Sequence, residues 1–332
     1  MTRKPFRKLL GAACILLITL IALEAAVRVW GYSERHIYDP ICTSFDRTED
    51  IPYIPKPNLR EARARGLAMI NTDSLGLRAK IAEGVYGAKQ PNEYRIALVG
   101  DSCTFGEGVT RTEDTFAQVL EDTLNQQQQA VTVKVFNYGA SAYSVKEMAA
   151  TLQYRMVDIQ PDFVVMAIIS ADFNLSRTPV IDSVGYLVDK RVSFPHDSPV
   201  RDGLRGVHLL YVLRDVVLSW ISPSGDSAVS LSRGEIPESY RYIQQFRGLA
   251  EQRGLPCLIV LLPKQGANVW GSLPARLRQD AVKYIDLSAF GNEFTREQYM
   301  GSRFDPHPSA AVHHRIGEAL ADYVRHQPGF AL

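Results

Sequence analysis

Ser102 follows a short apolar run, Ile96-Ala97-Leu98-Val99, from which it is separated only by Gly100 and Asp101. Such a run reads as a buried parallel strand, and open α/β sheets bind their ligands just past the carboxyl ends of strands. A hydroxyl placed there becomes a nucleophile when a base takes its proton. A candidate base lies near the other end of the chain, in Asp305-Pro306-His307-Pro308. Each proline drives the residue before it into an extended conformation, so Asp305 and His307, two apart, face the same side. The Asp305 carboxylate then reaches one imidazole nitrogen and leaves the other free, the orienting pair that a serine nucleophile needs. Taken singly, the serine stretch also fits an ordinary strand-to-loop turn, and His307 also fits a loop histidine with an aspartate neighbour.

The elements that must carry these residues follow from periodicity. Helical patterns are expected at 113–126, 144–159, 208–220, 238–253, about 274–280 and 309–325. Strands are expected at 96–99, 131–136, 163–169, 257–262 and 282–286. Strand and helix alternate, which implies a parallel sheet with right-handed crossovers. Residues 175–235 break the rhythm and read as an insertion over the site, a candidate substrate lid or a decoration of its rim. His196 and His208 within it read as surface or packing residues, and His313 and His314 as surface residues of the last helix.

The two ends together resemble the SGNH (GDSL-type) hydrolase family, in its membrane-anchored bacterial form. Gly100-Asp101-Ser102 matches the nucleophile block, and Asp305-Pro-His307-Pro-Ser-Ala-Ala-Val-His matches the last block. Asn137-Tyr-Gly139-Ala-Ser-Ala-Tyr resembles the second block, and Pro161 to Asp172 the third, normally Gly-x-Asn-Asp. The chain departs from the third block, with Ile169 in place of its glycine and Ala171 in place of its asparagine. The resemblance spans roughly residues 95–325. It implies a three-layer α/β/α fold with a parallel sheet of about five strands, a Ser102-His307-Asp305 triad, and an oxyanion held by the N–H groups of Ser102 and Gly139. Asn174 is the nearest substitute for the missing amide, with Asp101 and Asp172 in support. The resemblance implies no cofactor and no metal. Cys14, Cys42, Cys103 and Cys257 have no metal-site spacing and form no disulfide framework. Cys103 reads as a small buried packing residue.

The N-terminus carries Arg3, Lys4, Arg7 and Lys8, followed by a charge-free run from Leu9 to Leu23 and apolar character to Trp30. A helix from Leu9 to Trp30 rises about 33 Å, close to a bilayer core. Glu24 and Arg28 can pair on one face, and Trp30 and Tyr32 suit the aromatic belt. No small-x-small cleavage site precedes Glu24, which favours an uncleaved anchor over a signal peptide. The basic flank puts the N-terminus in the cytoplasm of a bacterial cell and the rest in the periplasm or outside. The organisation expected is an anchor over 1–31, a linker and domain-packing segment over 32–92, and a hydrolase-like domain over 93–328. Within the linker, Ile51-Pro-Tyr-Ile-Pro-Lys-Pro reads as an extended spacer. Asn71-Thr-Asp-Ser-Leu-Gly76-Leu-Arg78 resembles the Asn-x-x-Gly-x-Arg segment seen ahead of the domain in anchored family members, and reads as a turn with Gly76 at positive φ.

With 37 basic and 36 acidic residues the net charge is +1, which gives no footprint for nucleic acid. Gly100-x5-Gly106 lacks a following Lys-Ser/Thr, and no Gly-x-Gly-x-x-Gly opens a helix, so nucleotide-binding motifs are absent. The function implied is an ester hydrolase or O-acyl (acetyl) transferase acting on an acylated envelope or extracellular glycan, or another small ester. Its membrane contact would be the N-terminal helix. A non-catalytic glycan-binding or assembly factor on the same fold is the reading from a different class, and the altered third block speaks for it.

Overall fold

The computed structural model describes residues 3–64, 68–80, 88–126, 131–188, 204, 206–221, 236–265 and 270–327. Two compact units result. One is formed by residues 1–37 with 195–225, the other by 38–194 with 226–332.

The larger unit is built on five parallel strands: β1 (Glu93–Gly100), β2 (Thr132–Asn137), β3 (Phe163–Ile168), β4 (Cys257–Leu261) and β5 (Tyr284–Asp286). Their order across the sheet is β5-β4-β3-β1-β2. Between them run α2 (Ser102–Phe105), α3 (Phe116–Asn125), α4 (Val145–Tyr154), α6 (Arg241–Gln252) and α7 (Leu273–Gln279); α8 (Arg296–Tyr299) follows the last strand and α9 (Ala310–Arg325) closes the sequence of elements. All five expected strands are present. The alternation of side chains along each strand divides the core in two. Ile96, Leu98, Val165 and Val260 face Phe116 and Leu120 of α3 and Ile316 and Leu320 of α9. Ala97, Val99, Met166 and Leu261 face Met148 and Leu152 of α4 and Ile243 and Phe246 of α6. The result is a three-layer α/β/α arrangement.

The strand order fixes where chemistry can occur. From β1 the chain crosses to the edge strand β2, then returns past β1 to β3. The two crossovers leave on opposite faces, so a crevice opens at the carboxyl ends of β1 and β3. Gly100, the last residue of β1, pairs with Ala167 of β3. A Cβ on Gly100 would lie 2.0 Å from Thr104 Oγ1 and 2.5 Å from the Ala167 carbonyl oxygen. Only glycine lets the chain turn this tightly into α2.

The stretch expected to be a spacer is not one. Ile51 and Tyr53 have no solvent exposure and belong to the same core as α4 and α6. The Tyr53 hydroxyl donates to the Ser141 carbonyl at 2.5 Å, and the Tyr143 hydroxyl donates to the Tyr53 carbonyl. Alternating burial of Ile51, Tyr53 and Pro55 is the strand-like signature that the prolines masked. Gly76 has the positive φ expected, at 75°. Arg78 closes this segment, 4 % exposed. Its guanidinium donates to the carbonyls of Phe105, Gly106 and Val109, at 2.8 Å for the last. It thus satisfies the orphan carbonyls at the end of α2 and in the loop beyond. Burial pulls its pKa down to about 10, with the charges of Glu107 and Glu113 opposing.

The smaller unit contains α1 (Arg3–Trp30) and α5 (His208–Ile221). The segment Lys8–Trp30, 23 residues with a mean hydropathy of 2.4 and largely exposed side chains, is long and apolar enough to cross a membrane. The expected Glu24–Arg28 pair forms at 2.8 Å. α5 was expected within an insertion read as a lid or a decoration of the rim; it packs against the end of α1 in this unit. Of the remaining insertion, Val180–Ile181 and Leu187–Val188 form an antiparallel hairpin in the larger unit. Residues 189–203 and 222–235, His196 among them, lie outside the described residues.

Arg78→Ala leaves three loop carbonyls without their donor and should cost about 3 kcal/mol in urea unfolding. Arg78→Lys should recover only part of that, because an ammonium cannot fork between several acceptors.

Candidate active site

Ser102 begins α2, so its N–H has no acceptor within the helix. Asp101 caps that helix, its Oδ1 accepting the Cys103 N–H at 2.8 Å. On the opposite wall, Asp305 and His307 lie in a short extended segment, Asp305–Pro308, which pairs antiparallel with Met300–Ser302. His307 Nδ1 is 2.5 Å from Asp305 Oδ1, and His307 Nε2 is 2.9 Å from Ser102 Oγ. The extended, same-side geometry expected from the two prolines is what brings these groups together. Gly108 (φ 88°) lies against the other side of the histidine, where a Cβ would come within 2.8 Å of His307 Cβ. The loop after the nucleophile therefore presses the imidazole into register.

Burial works against a charged imidazole and an ionised carboxylate alike, but the pair overcomes it. The Asp305 hydrogen bond and the charges of Glu107 and Asp305 raise His307 above its ordinary 6.5. The His307 side chain and N–H hold Asp305 below the ordinary carboxylate value, against a burial effect of the opposite sign. Cys103 is buried among the apolar side chains under α3 and α9, as expected. Burial pushes its thiol well above the usual range, so the sulfur is a packing group and not a rival nucleophile.

Two residues that sequence reasoning passed over belong to the site. Glu107 is 2 % exposed. One of its oxygens accepts from the Ser141 hydroxyl, and the other lies 3.5 Å from His307 Nε2. The nitrogen that lies 2.9 Å from Ser102 Oγ thus faces a second carboxylate. Arg177 joins two carboxylates that have no exposure at all, Asp101 (2.9 Å) and Asp172. Burial and the charge of Asp101 push the Asp172 carboxyl up, and Arg177 opposes them. Asp172 also accepts the Ile169 N–H at 2.8 Å, so it fixes its loop as expected. A charged residue one turn beyond a strand end and aligned with no block of the motif was the sole sequence signal for either residue.

The Gly139 part of the oxyanion assignment needs correction. The Gly139 N–H is donated to the Asn137 side-chain oxygen at 2.9 Å, and Asn137 Nδ2 is held by the Thr104 carbonyl at 2.8 Å. Gly139 therefore shapes the loop: a Cβ there would lie 2.4 Å from the Phe105 nitrogen. Three residues on, Ala142 is left-handed (φ 60°), and its N–H has no acceptor among the described residues. Its neighbour Ser141 donates its hydroxyl to Glu107, the carboxylate that faces His307. The Asn174 side-chain oxygen accepts the Ser176 N–H at 3.0 Å, a turn within its own loop, and the Nδ2 amide is the end that an oxyanion would use. The side chain that this loop sends to the nucleophile turn is Arg177. His313 is also corrected: it has no exposure, accepts the Phe116 N–H at 3.0 Å, and is pulled down to about 3 by burial, so it is a neutral core residue.

No family model and no curated protein matches the chain. Several solved structures are similar to it. The lipase/acylhydrolase from Enterococcus faecalis is 12% identical, over 72% of this chain and 100% of that one, with a TM-score of 0.42. The family 3 carbohydrate esterase of Clostridium thermocellum is 14% identical, over 69% of this chain and 94% of that one, with a TM-score of 0.41. A two-domain esterase active on acetylated mannans is 13% identical over 72% of this chain, with a TM-score of 0.43. The chain spans about half the length of that esterase, 52%.

If Glu107 supports the charged imidazole, Glu107→Gln should shift the acidic limb of a pH–activity profile to lower pH. Neutral His307 is the active form, and removing the carboxylate lowers its pKa. The wild-type limb should lie above 6.5. Arg177→Met leaves Asp101 and Asp172 buried and uncompensated, which should destabilise the fold by about 3 kcal/mol near neutrality. Without the guanidinium that opposes burial, the Asp172 carboxyl holds its proton still more tightly in the folded than in the unfolded chain, so the loss should shrink as pH falls. Urea melts at two pH values measure it. The order of the parallel sheet, the serine that follows its first strand and the Asp-x-His that precedes its last helix are the arrangement that the resemblance to the SGNH-type hydrolases implies.

Proposed function

We propose that the chain is a serine-dependent ester hydrolase or O-acyltransferase. The observation that carries this reading is the unbroken line from Asp305 through both nitrogens of His307 to Ser102 Oγ, with contacts of 2.5 and 2.9 Å. Ser102 Oγ attacks the ester carbonyl carbon while His307 Nε2 takes its proton. Asp305 holds the ring by Nδ1–H and stabilises the imidazolium. The oxyanion meets the Ser102 and Ala142 N–H groups; a donor of this kind is worth about 2.7–4 kcal/mol. The tetrahedral adduct collapses, the alcohol leaves with the proton from Nε2, and an acyl-serine remains. Water or a carbohydrate hydroxyl, deprotonated by the same nitrogen, then takes the acyl group and frees Ser102.

Arg177 and Asp172 hold Asp101, and through it the turn that aims Ser102. Glu107 raises the basicity of His307 and presents negative charge to the incoming substrate, which favours a neutral acyl group. The substrate proposed is an acylated glycan, or another small ester, outside the bacterial cytoplasmic membrane. Support for that location comes from the basic start Arg3-Lys4…Arg7-Lys8 followed by the apolar span Lys8–Trp30. Support for a retained anchor comes from the far end of α1. The Glu24 carboxylate accepts the N–H groups of His208 and Leu209 at 2.9 and 2.8 Å, and Arg28 donates to the Gly206 carbonyl. Cleavage beyond Trp30 would leave the start of α5 without its cap.

The test treats the full chain in detergent with a fluorophosphonate and maps the adduct by mass spectrometry. Label on Ser102, lost in Ser102→Ala and cut at least about a hundredfold in His307→Ala, is the expected result. A folded chain that takes no label would return the reading to a binding or assembly factor.

A further inference from the structure

Within the anchor unit, α5 has two unlike faces. His208, Tyr211 and Asp215, spaced three and four apart, lie on one side. His208 Nδ1 is 2.5 Å from the Ser33 hydroxyl, and Asp215 accepts from the Tyr32 hydroxyl at 2.9 Å and meets His36 Nε2 at 2.9 Å. Tyr211 stacks on His36 with ring centroids 5.4 Å apart. This side is fully engaged with the chain that leaves α1. The opposite side carries Leu210, Leu213, Val216, Val217 and Trp220, exposed by 37, 51, 42, 47 and 81%. They fill an arc of about 120° with no charge inside it; Arg214 lies at its margin.

A stripe of five large apolar residues on a soluble surface needs a partner. Several features of this unit select a bilayer. The helix is tied by its first turn to Glu24 and Arg28, where the apolar span ends, so it starts at the level of the membrane surface if α1 spans. At 14 residues it is about 21 Å long, too short to cross the hydrocarbon core. Its stripe ends in Trp220, and Trp30 stacks on Tyr32 (centroids 5.0 Å apart) near its start; both rings suit the interface. Arg214 at the margin can extend its charge to the headgroups.

We propose that α5 lies in the membrane–water interface beside the outer end of α1, with Leu210, Leu213, Val217 and Trp220 among the acyl chains. The insertion is then a second membrane contact, made by a segment that interrupts the catalytic unit between β3 and α6. The proposal rests on α1 spanning the bilayer.

The experiment reconstitutes the full chain in phosphatidylcholine–phosphatidylglycerol vesicles with and without acyl-brominated lipid, which quenches tryptophan on contact. One variant keeps Trp220 alone (Trp30→Phe, Trp270→Phe) and a second keeps Trp30 alone (Trp220→Phe, Trp270→Phe). If loss of the buried Trp270 prevents folding, the difference between wild type and Trp220→Phe reads the same quantity, because Trp270 is 3 % exposed and out of reach of lipid. Quenching of Trp220 comparable to that of Trp30, with blue-shifted emission, is the expected result. Quenching of Trp30 with an unquenched, water-like Trp220 overturns the proposal and leaves the anchor intact. An unquenched but blue-shifted Trp220 overturns it in favour of a second copy of the chain or another part of it. No quenching of either removes the anchor and the proposal with it.

Discussion

The site depends on a carboxylate with no solvent exposure. Asp101 caps the helix that presents Ser102 and shares Arg177 with Asp172 at the end of the neighbouring strand. An unpaired buried carboxylate is costly enough to neutralise itself or unfold its surroundings. The guanidinium therefore does more than add an ion pair. It lets two buried carboxyl groups share one cation at the ends of β1 and β3, where the crevice opens. The nucleophile turn, the third loop and the sheet are held as one object through that shared cation.

A second constraint comes from chain that precedes the catalytic sequence. Tyr53 and Arg78 sit in a segment that composition describes as linker, yet the first braces the Ser141 loop and the second braces the loop after α2. Those two loops carry Glu107 and the Ala142 amide. The geometry around His307 Nε2 is thus set as much by residues 38–80 as by the sheet.

The legible part of the sequence was the part whose cause is local. Prolines at 306 and 308 dictate an extended Asp305 and His307 wherever the segment lies, and apolar runs dictate the strands. Which amide of the 137–142 loop is spent was not legible, because the Asn137 side chain decides it and competes with any oxyanion for Gly139. Glu107 and Arg177 were not legible for another reason: the partners that give them meaning lie 34 and 76 residues away along the chain. His313 could have been found. With Ile316, Leu320 and Val324 it completes the buried stripe of the last helix, at spacings of three, four and four. The helix of the insertion was legible as a helix but not in its allegiance, since only contacts with α1 assign it.

The separation of the catalytic pair along the chain has a temporal meaning. Ser102 and His307 are 205 residues apart, and the histidine precedes only the closing helix. A chain that emerges from its N-terminus builds the nucleophile turn, both crossovers and most of the sheet before a base exists to take the serine's proton. Long-range closures of this kind come late in folding, because their loop entropy must be met by structure already formed. In the proposed triad the hydroxyl therefore has no base until that closure is made. On that reading its activation coincides with the docking of the segment before the last helix, so a chain that ends before His307 would carry a serine without its base.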